Sequence, residues 1–197
     1  GGIIPPEFRN IKTPCYILDE KALIKNAKLL GEVAERTGCK MLLAQKAFSN
    51  YDCYQFFEPY LAGTEASGLF EARLGAEEMP EKEVHVFCAG YRADEFEELL
   101  QYADHIVFNS PMQLLRFGPG AKEAGKSVGL RINPECSTQD GHEIYDPCAP
   151  GSEWERQERS GMKHLRKTRN FWIYWMVFIF IPSVSRIPTI WRQLLFL

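Results

Sequence analysis

The chain has 197 residues, of which 45% are hydrophobic and 25% charged, and its formal net charge is −3. This length suits one domain, or one domain and a fraction of another, and the composition is typical of a globular protein. A slightly acidic chain is a poor candidate for nucleic-acid binding, so we expect no nucleic-acid partner.

The cysteines and the apolar segments exclude other classes. The six cysteines are scattered singly and form no CxxC pair. We therefore expect no metal site, and reduced thiols in a cytoplasmic protein. The first ten residues do not resemble a secretory signal. The apolar run at residues 171–181 has 11 residues, whereas a membrane helix needs about 20. We expect no membrane partner, with a tether through this run as the alternative.

Strand-like and helix-like segments alternate along the chain. Asp19 and Ser110 are good helix N-caps, and Gly38 follows the end of the first helix. We predict strands at residues 13–18, 40–45, 63–67, 83–89, 105–109 and 127–133. We predict helices at residues 21–36, 52–61, 69–78, 93–102 and 110–124.

This alternation predicts an α/β fold with a parallel sheet and crossover helices. No glycine-rich phosphate motif follows the first strand, which disfavours a dinucleotide-binding fold. Two architectures stay open: an open doubly wound sheet, or part of a (β/α)8 barrel. A complete barrel takes about 250 residues, so a barrel here would stop a little past halfway.

Lys46 is the sharpest chemical feature. It lies in the segment LLAQKAFS, at the carboxyl end of a predicted apolar strand, where α/β folds place their chemistry. A lysine held there against apolar neighbours can lose its proton and form a Schiff base with a substrate or with pyridoxal phosphate. The alternative is a lysine that only leaves the strand into solvent.

Five segments, in order, resemble the carboxynorspermidine decarboxylase family: TPCYILDEKAL, LLAQKAFS, GTEASGLFEARLG, VGLRINPE and YDPCAPGS. The resemblance covers about residues 13–152. It implies a cofactor, pyridoxal 5'-phosphate, on a (β/α)8 barrel joined to a C-terminal β domain. It also implies a homodimer that decarboxylates carboxynorspermidine or carboxyspermidine to norspermidine or spermidine.

The resemblance assigns roles to four residues. Lys46 would be the catalytic lysine that holds the cofactor. Glu65 and Glu71 would form an acidic pair near the cofactor, the alternative being two solvated acids at a helix end. Arg131, a charge within an apolar strand, would face the cofactor. We interpret His85 and His105 as structural and His142 as an exposed loop residue.

Three other functions stay open beside this family. One is a related decarboxylase of the diaminopimelate or ornithine type. Another is a non-enzymatic pyridoxal-phosphate carrier built as a single barrel. The third is the membrane-tethered protein named above.

The composition changes abruptly after residue 151. Residues 1–151 have 15 basic and 23 acidic side chains and 14 of the 15 glycines, whereas residues 152–197 have 8 basic and 3 acidic side chains and all four tryptophans. The net charge thus changes from −8 to +5. Such a break indicates a domain boundary or an artefact.

We interpret the tail as a frameshift between Ser152 and Glu153. Codons compatible with residues 179–189, read one base out of register, encode HFHTLCEQNSD, which resembles the next barrel strand and loop of the family. The predicted domains are therefore residues 1–152, the N-terminal part of the barrel, and residues 153–197, an out-of-frame tail. A chain without the later strands, the phosphate loop and the C-terminal β domain is expected to be unstable and inactive.

Overall fold

The computed structural model describes residues 10–131, and they form a parallel five-stranded sheet with helices. The helices are α1 (Glu20–Thr37), α2 (Tyr54–Phe57, after a 3-10 turn at Tyr51–Cys53), α3 (Leu69–Glu78), α4 (Phe96–Tyr102) and α5 (Pro111–Glu123). The strands are β1 (Leu42–Ala44), β2 (Gly63–Ala66), β3 (Glu83–Cys88), β4 (His105–Phe108) and β5 (Ser127–Leu130). Our predictions for His142 and for residues 153–197 concern residues outside this described range.

The strand order separates the two architectures that the sequence left open. The strands lie in the order β1-β2-β3-β4-β5, and each neighbouring pair is parallel. A doubly wound sheet reverses its strand order at a switch point, and the five described strands show no reversal. Sequential parallel strands are the arrangement of a (β/α)8 barrel, so the described residues are part of one.

The sheet has two faces with different side chains. One face packs against the helices through alternate strand residues in a buried cluster that includes Val84, Val86, Ile106 and Phe108. A second cluster at the β1 edge joins Leu43 to residues of α1 and α2. Because side chains alternate along a strand, the residues between these, such as Glu65, lie on the opposite face. We call this opposite face the inner face.

Two predicted elements differ from the structure. Residues 13–18 form no strand, although their composition favours one, and Tyr16 there is fully exposed. Strand propensity stabilises a segment only when a partner and a packing surface are present, and the described residues supply neither. The predicted helix at 52–61 is reduced to the 3-10 turn and the four residues of α2. Within this segment the Gln55 side chain donates to the Asp52 carbonyl at 3.0 Å.

Helix boundaries follow the capping residues. The Asp19 carboxylate accepts a hydrogen bond from the Ala22 N–H at 3.0 Å, and α1 ends at Gly38, whose φ of 72° places it in the left-handed region. The Ser110 hydroxyl accepts from the Gln113 N–H at 3.3 Å at the start of α5. Among the described residues, none of the helices is both long and apolar enough to cross a membrane.

Candidate active site at the carboxyl ends of the strands

Lys46 lies in a turn directly after β1, at the carboxyl edge of the sheet. The turn is closed by bonds from the Ala47 and Phe48 N–H groups to the Ala44 carbonyl, at 3.0 and 3.1 Å. Because of these bonds, β1 ends at Ala44, earlier than predicted, and Lys46 lies in the turn that follows it. The Lys46 side chain is exposed in the described part of the chain, so apolar enclosure of its amine would require further residues.

Gln45 anchors the backbone next to Lys46. Its side chain is 1% exposed and lies on the helix side, where its amide donates to the Tyr54 hydroxyl at 3.1 Å. Its backbone N–H donates to the Glu65 carbonyl at 3.1 Å, which joins the ends of β1 and β2. The sequence reading missed this residue, although a glutamine within an apolar strand is a signal of a buried polar contact.

Glu65 lies on the inner face of β2, paired in register with Ala44 of β1. Partial burial raises the pKa of Glu65, the negative charge of Glu71 raises it further, and the positive charge of Lys46 lowers it. The structure thus brings the predicted lysine and both predicted acids into one electrostatic group. Proximity of two carboxylates favours the protonated form of one of them.

Glu71 also has a local structural role. Its carboxylate accepts a hydrogen bond from the Ser67 N–H at 2.6 Å, at the start of α3. An acid in the first helical turn is stabilised by the helix dipole and by unpaired backbone N–H groups. Glu71 therefore combines the helix-end role that we considered as an alternative with a position close to Glu65.

Arg131 follows β5 and is partly buried. Its guanidinium donates to the Asn109 side-chain oxygen at 3.3 Å and lies 5.9 Å from the centre of the Phe87 ring. A charged side chain in an apolar strand needs such partners. The sequence reading did not identify Phe87 or Asn109. The signal was available in the alternation of strand residues, because Phe87 is two residues after His85 on the inner face.

The predicted site residues therefore form two groups on one edge of the sheet. Lys46, Glu65 and Glu71 lie at the β1–β2 end, and Arg131 lies at the β5 end. Five adjacent strands span about 19 Å along the sheet, and curvature of a barrel shortens the distance across the interior. The edge presents an amine, carboxylates and a guanidinium, which are groups able to hold an anionic aldehyde cofactor.

The fold of the described residues is shared with solved structures of a decarboxylase and an aldolase. The structure of diaminopimelate decarboxylase from M. jannaschi aligns over 87% of this chain and 42% of its own, at 17% identity and a TM-score of 0.59. D-Threonine aldolase from Filomicrobium marinum aligns over 70% of this chain and 38% of its own, at 18% identity and a TM-score of 0.53. At such identities the likeness shows the fold alone.

Relatives with higher sequence identity to this chain belong to a narrower class of decarboxylases. Carboxynorspermidine/carboxyspermidine decarboxylase of Campylobacter jejuni is 40% identical over 141 residues, 72% of this chain and 36% of the relative. Carboxyaminopropylagmatine decarboxylase of Synechocystis sp. is 37% identical over 147 residues, which are 75% of this chain and 38% of the relative. The crystal structure of carboxynorspermidine decarboxylase from C. jejuni complexed with norspermidine aligns over 66% and 35%, with 40% identity and a TM-score of 0.61. No protein-family model matches.

These findings confirm the predicted resemblance: the chain is a homologue of part of the carboxynorspermidine decarboxylases. The chain spans just over a third of the length of the curated relatives that it matches.

Proposed function

We propose that this chain is the N-terminal part of a pyridoxal-phosphate-dependent carboxy-lyase that removes carbon dioxide from a carboxylated polyamine. The observation that carries the proposal is the position of Lys46 directly after β1, at the carboxyl edge of the barrel sheet and beside β2, the strand that carries Glu65. The strength of the homology to carboxynorspermidine decarboxylase supports the same function.

The residues at this edge fit part of the requirements of pyridoxal phosphate. Lys46 would supply the primary amine that holds the aldehyde, and the Glu65 and Glu71 carboxylates would lie near the cofactor as groups able to accept or donate protons. Arg131, held by Asn109 and Phe87, supplies a positive charge that faces the same side of the sheet. When bound, the cofactor accepts the electron pair left as carbon dioxide departs.

The substrate class follows from the relatives. Two of them have similar identity, 40% and 37%, but are named for carboxynorspermidine or carboxyspermidine and for carboxyaminopropylagmatine. All are carboxylated amines with further cationic groups, which suit an edge that has acidic residues. We propose carboxynorspermidine or carboxyspermidine as the first substrates to test and carboxyaminopropylagmatine as the second. We also propose a homodimer and a cytoplasmic location for the complete enzyme.

The alternative, an amino-acid decarboxylase of the diaminopimelate type, is less well supported. The solved diaminopimelate decarboxylase is 17% identical to this chain, whereas the carboxynorspermidine decarboxylase is 40% identical. Assays with diaminopimelate and ornithine beside the polyamine substrates separate the two proposals, because each predicts release of carbon dioxide from a different substrate.

A test of cofactor binding uses the chain in which the reading frame after Ser152 is restored. This chain is reduced with borohydride in the presence of pyridoxal phosphate and then analysed by peptide mass spectrometry. We expect the label on the peptide that contains Lys46 and its loss in Lys46→Ala. Lys28→Ala, a change at an exposed residue of α1, is the matched control and is expected to keep the label. A chain that decarboxylates the substrate while Lys46 stays unlabelled would disprove the role of Lys46.

We propose, further, that residues 153–197 are encoded out of frame. The support is the change of composition at residue 151 and the family-like text recovered by a one-base shift. Resequencing the DNA across the Ser152–Glu153 junction tests this directly. A one-base difference that restores the family-like text identifies the frameshift as a sequencing error. An unchanged sequence leaves two outcomes, a broken gene or a genuine new segment.

A further inference from the structure

A second polar cluster lies at the opposite edge of the same sheet. Glu83 begins β3 and His105 begins β4, while His85 follows two residues after Glu83 on the inner face. His85 and His105 are paired in register, and their rings stack with centres 4.1 Å apart and planes inclined by 24°. Glu83 to Cys88 spans roughly 16 Å along β3, so this cluster is remote from Lys46.

The three side chains converge on one point. The His85 Nε2 lies 2.9 Å from Glu83 Oε2, and the His105 Nε2 lies 3.7 Å from the same oxygen. The three potential ligand atoms all lie within 4.8 Å of one another. Two imidazole nitrogens and a carboxylate oxygen are the donors that Zn²⁺ uses in sites with an open position.

The distances match those around a small metal ion. With metal–nitrogen and metal–oxygen bonds of about 2.1 Å, two ligand atoms of a tetrahedral site lie about 3.4 Å apart. The observed separations of 2.9 and 3.7 Å are on either side of this value. Small side-chain rotations that move the ligand atoms by a few tenths of an ångström would therefore bring them to the separations of a metal site. The paired backbones of β3 and β4 would not have to move.

The cluster is open to ions from solvent. The side chains of Glu83, His105 and His85 are 32%, 26% and 9% exposed. Lys40 forms an ion pair with the other Glu83 oxygen, Oε1, and so it leaves Oε2 for the two histidines. The ammonium group of Lys40 is nevertheless a positive charge beside the site, and it opposes the entry of a cation.

We propose that Glu83, His85 and His105 bind one divalent transition-metal ion, with Zn²⁺ favoured and water in the remaining position. The site goes beyond the proposed decarboxylase function and is independent of it. It differs from our expectation of no metal, which rested on the lack of paired cysteines and did not consider residues joined by strand register.

The test is titration of the metal-free 197-residue chain, without a histidine tag, with Zn²⁺ by calorimetry and with Co²⁺ by visible absorption. We expect one ion per chain and an increase in the thermal midpoint on addition of Zn²⁺. Glu83→Gln, His85→Asn and His105→Asn should each weaken binding at least tenfold, since each removes a ligand. Glu81→Gln, a change at an exposed neighbouring acid, should leave the affinity unchanged.

Lys40→Ala distinguishes a metal site from a simple ion-pair cluster. If the cluster binds a metal, removal of the competing charge should strengthen Zn²⁺ binding several-fold. If the cluster is only a set of ion pairs, Lys40→Ala lowers stability and no variant shows Zn²⁺ binding, which overturns the proposal. Circular dichroism of every variant identifies those that fail to fold.

Two further measurements separate failure of the metal site from failure of folding and from failure of the proposed function. If the 197-residue chain does not stay folded, the same titrations are made on the frame-restored chain, where lack of stoichiometric binding overturns the proposal. Lys46→Ala should keep full Zn²⁺ affinity, while it loses the borohydride-dependent label. A frame-restored chain that binds Zn²⁺ but not pyridoxal phosphate would support the metal site and contradict the proposed function, and the reverse result would do the opposite.

Discussion

Gly75 shows how one residue sets the distance between a helix and the sheet. It lies in α3, and a Cβ atom at this position would be 2.2 Å from the Thr64 hydroxyl oxygen and 3.4 Å from the Gln45 side-chain oxygen. Thr64 and Gln45 are both fully buried beneath the site edge. The absence of a side chain at Gly75 therefore lets α3 approach β2, the strand that positions Glu65.

We predict that Gly75→Ala destabilises the protein by about 1–3 kcal/mol, the usual cost of overpacking a core. The reason is that the added methyl group would overlap the buried Thr64 hydroxyl, so that either α3 or the Thr64 side chain has to shift. The measurement is the urea midpoint of unfolding, followed by circular dichroism.

Gly120→Ala is the matched control. Gly120 also lies in a helix, but nothing is within 4 Å of its added Cβ. Alanine has the higher helix propensity, so we expect Gly120→Ala to be neutral or to stabilise by about 0.5–1 kcal/mol. Equal effects of the two substitutions would contradict the argument from close packing.

At the scale of the elements, β2 carries an acid at its carboxyl end at a cost in stability. Because partial burial and the charge of Glu71 raise the pKa of Glu65, the folded chain binds a proton at this carboxyl more tightly than the unfolded chain does. The folded state is therefore disfavoured by this group above its raised pKa. The penalty disappears as the pH falls below the ordinary pKa of a glutamate.

We predict that Glu65→Gln increases the stability of the cofactor-free protein near pH 8 and changes it little near pH 4. The gain arises because a neutral amide is not repelled by Glu71 and is easier to bury. Denaturant unfolding at the two pH values measures it. Glu81→Gln, at an exposed acid, should show no such dependence on pH, and a loss of stability near pH 8 in Glu65→Gln would refute the prediction.

Elements with strong local signals were predicted well. The first helix was expected at residues 21–36 and is observed at Glu20–Thr37, because Asp19 and Gly38 fix its ends by local hydrogen bonds and backbone conformation. The prediction of a strand at residues 13–18 was wrong, since the apolar composition of this segment carries no information about whether a partner strand is available. The helix predicted at residues 52–61 was too long, since only the 3-10 turn and the four residues of α2 are helical there.

At the scale of the whole molecule, the described residues leave apolar side chains uncovered. Large hydrophobic residues are exposed before and along α1, including Tyr16, Ile17, Leu18, Leu29 and Leu30. Uncovered apolar surface of this kind is typical of an interface or of a site that aggregates. In the described sheet, β1 and β5 each pair on one side only, and unpaired strand edges add to this tendency.

We predict that the 197-residue chain is poorly stable, aggregates readily and lacks decarboxylase activity. We expect strong binding of a hydrophobic dye and a broad thermal transition. The comparison is a frame-restored chain, which is expected to unfold cooperatively and to bind less dye. Formation of norspermidine or spermidine by the purified 197-residue chain would show that this prediction is wrong.

Local sequence patterns were enough to predict the alternation of strands and helices, the position of Lys46 at a strand end and the resemblance to a decarboxylase family. These depend on local periodicity, capping and motifs, which are properties of neighbouring residues. Tertiary structure was needed for the strand order, the partners of Arg131 and the convergence of Glu83, His85 and His105, which depend on the register between strands that are distant in the sequence. It was also needed for the buried contact of Gln45, which joins the end of β1 to α2. No local pattern encodes these contacts.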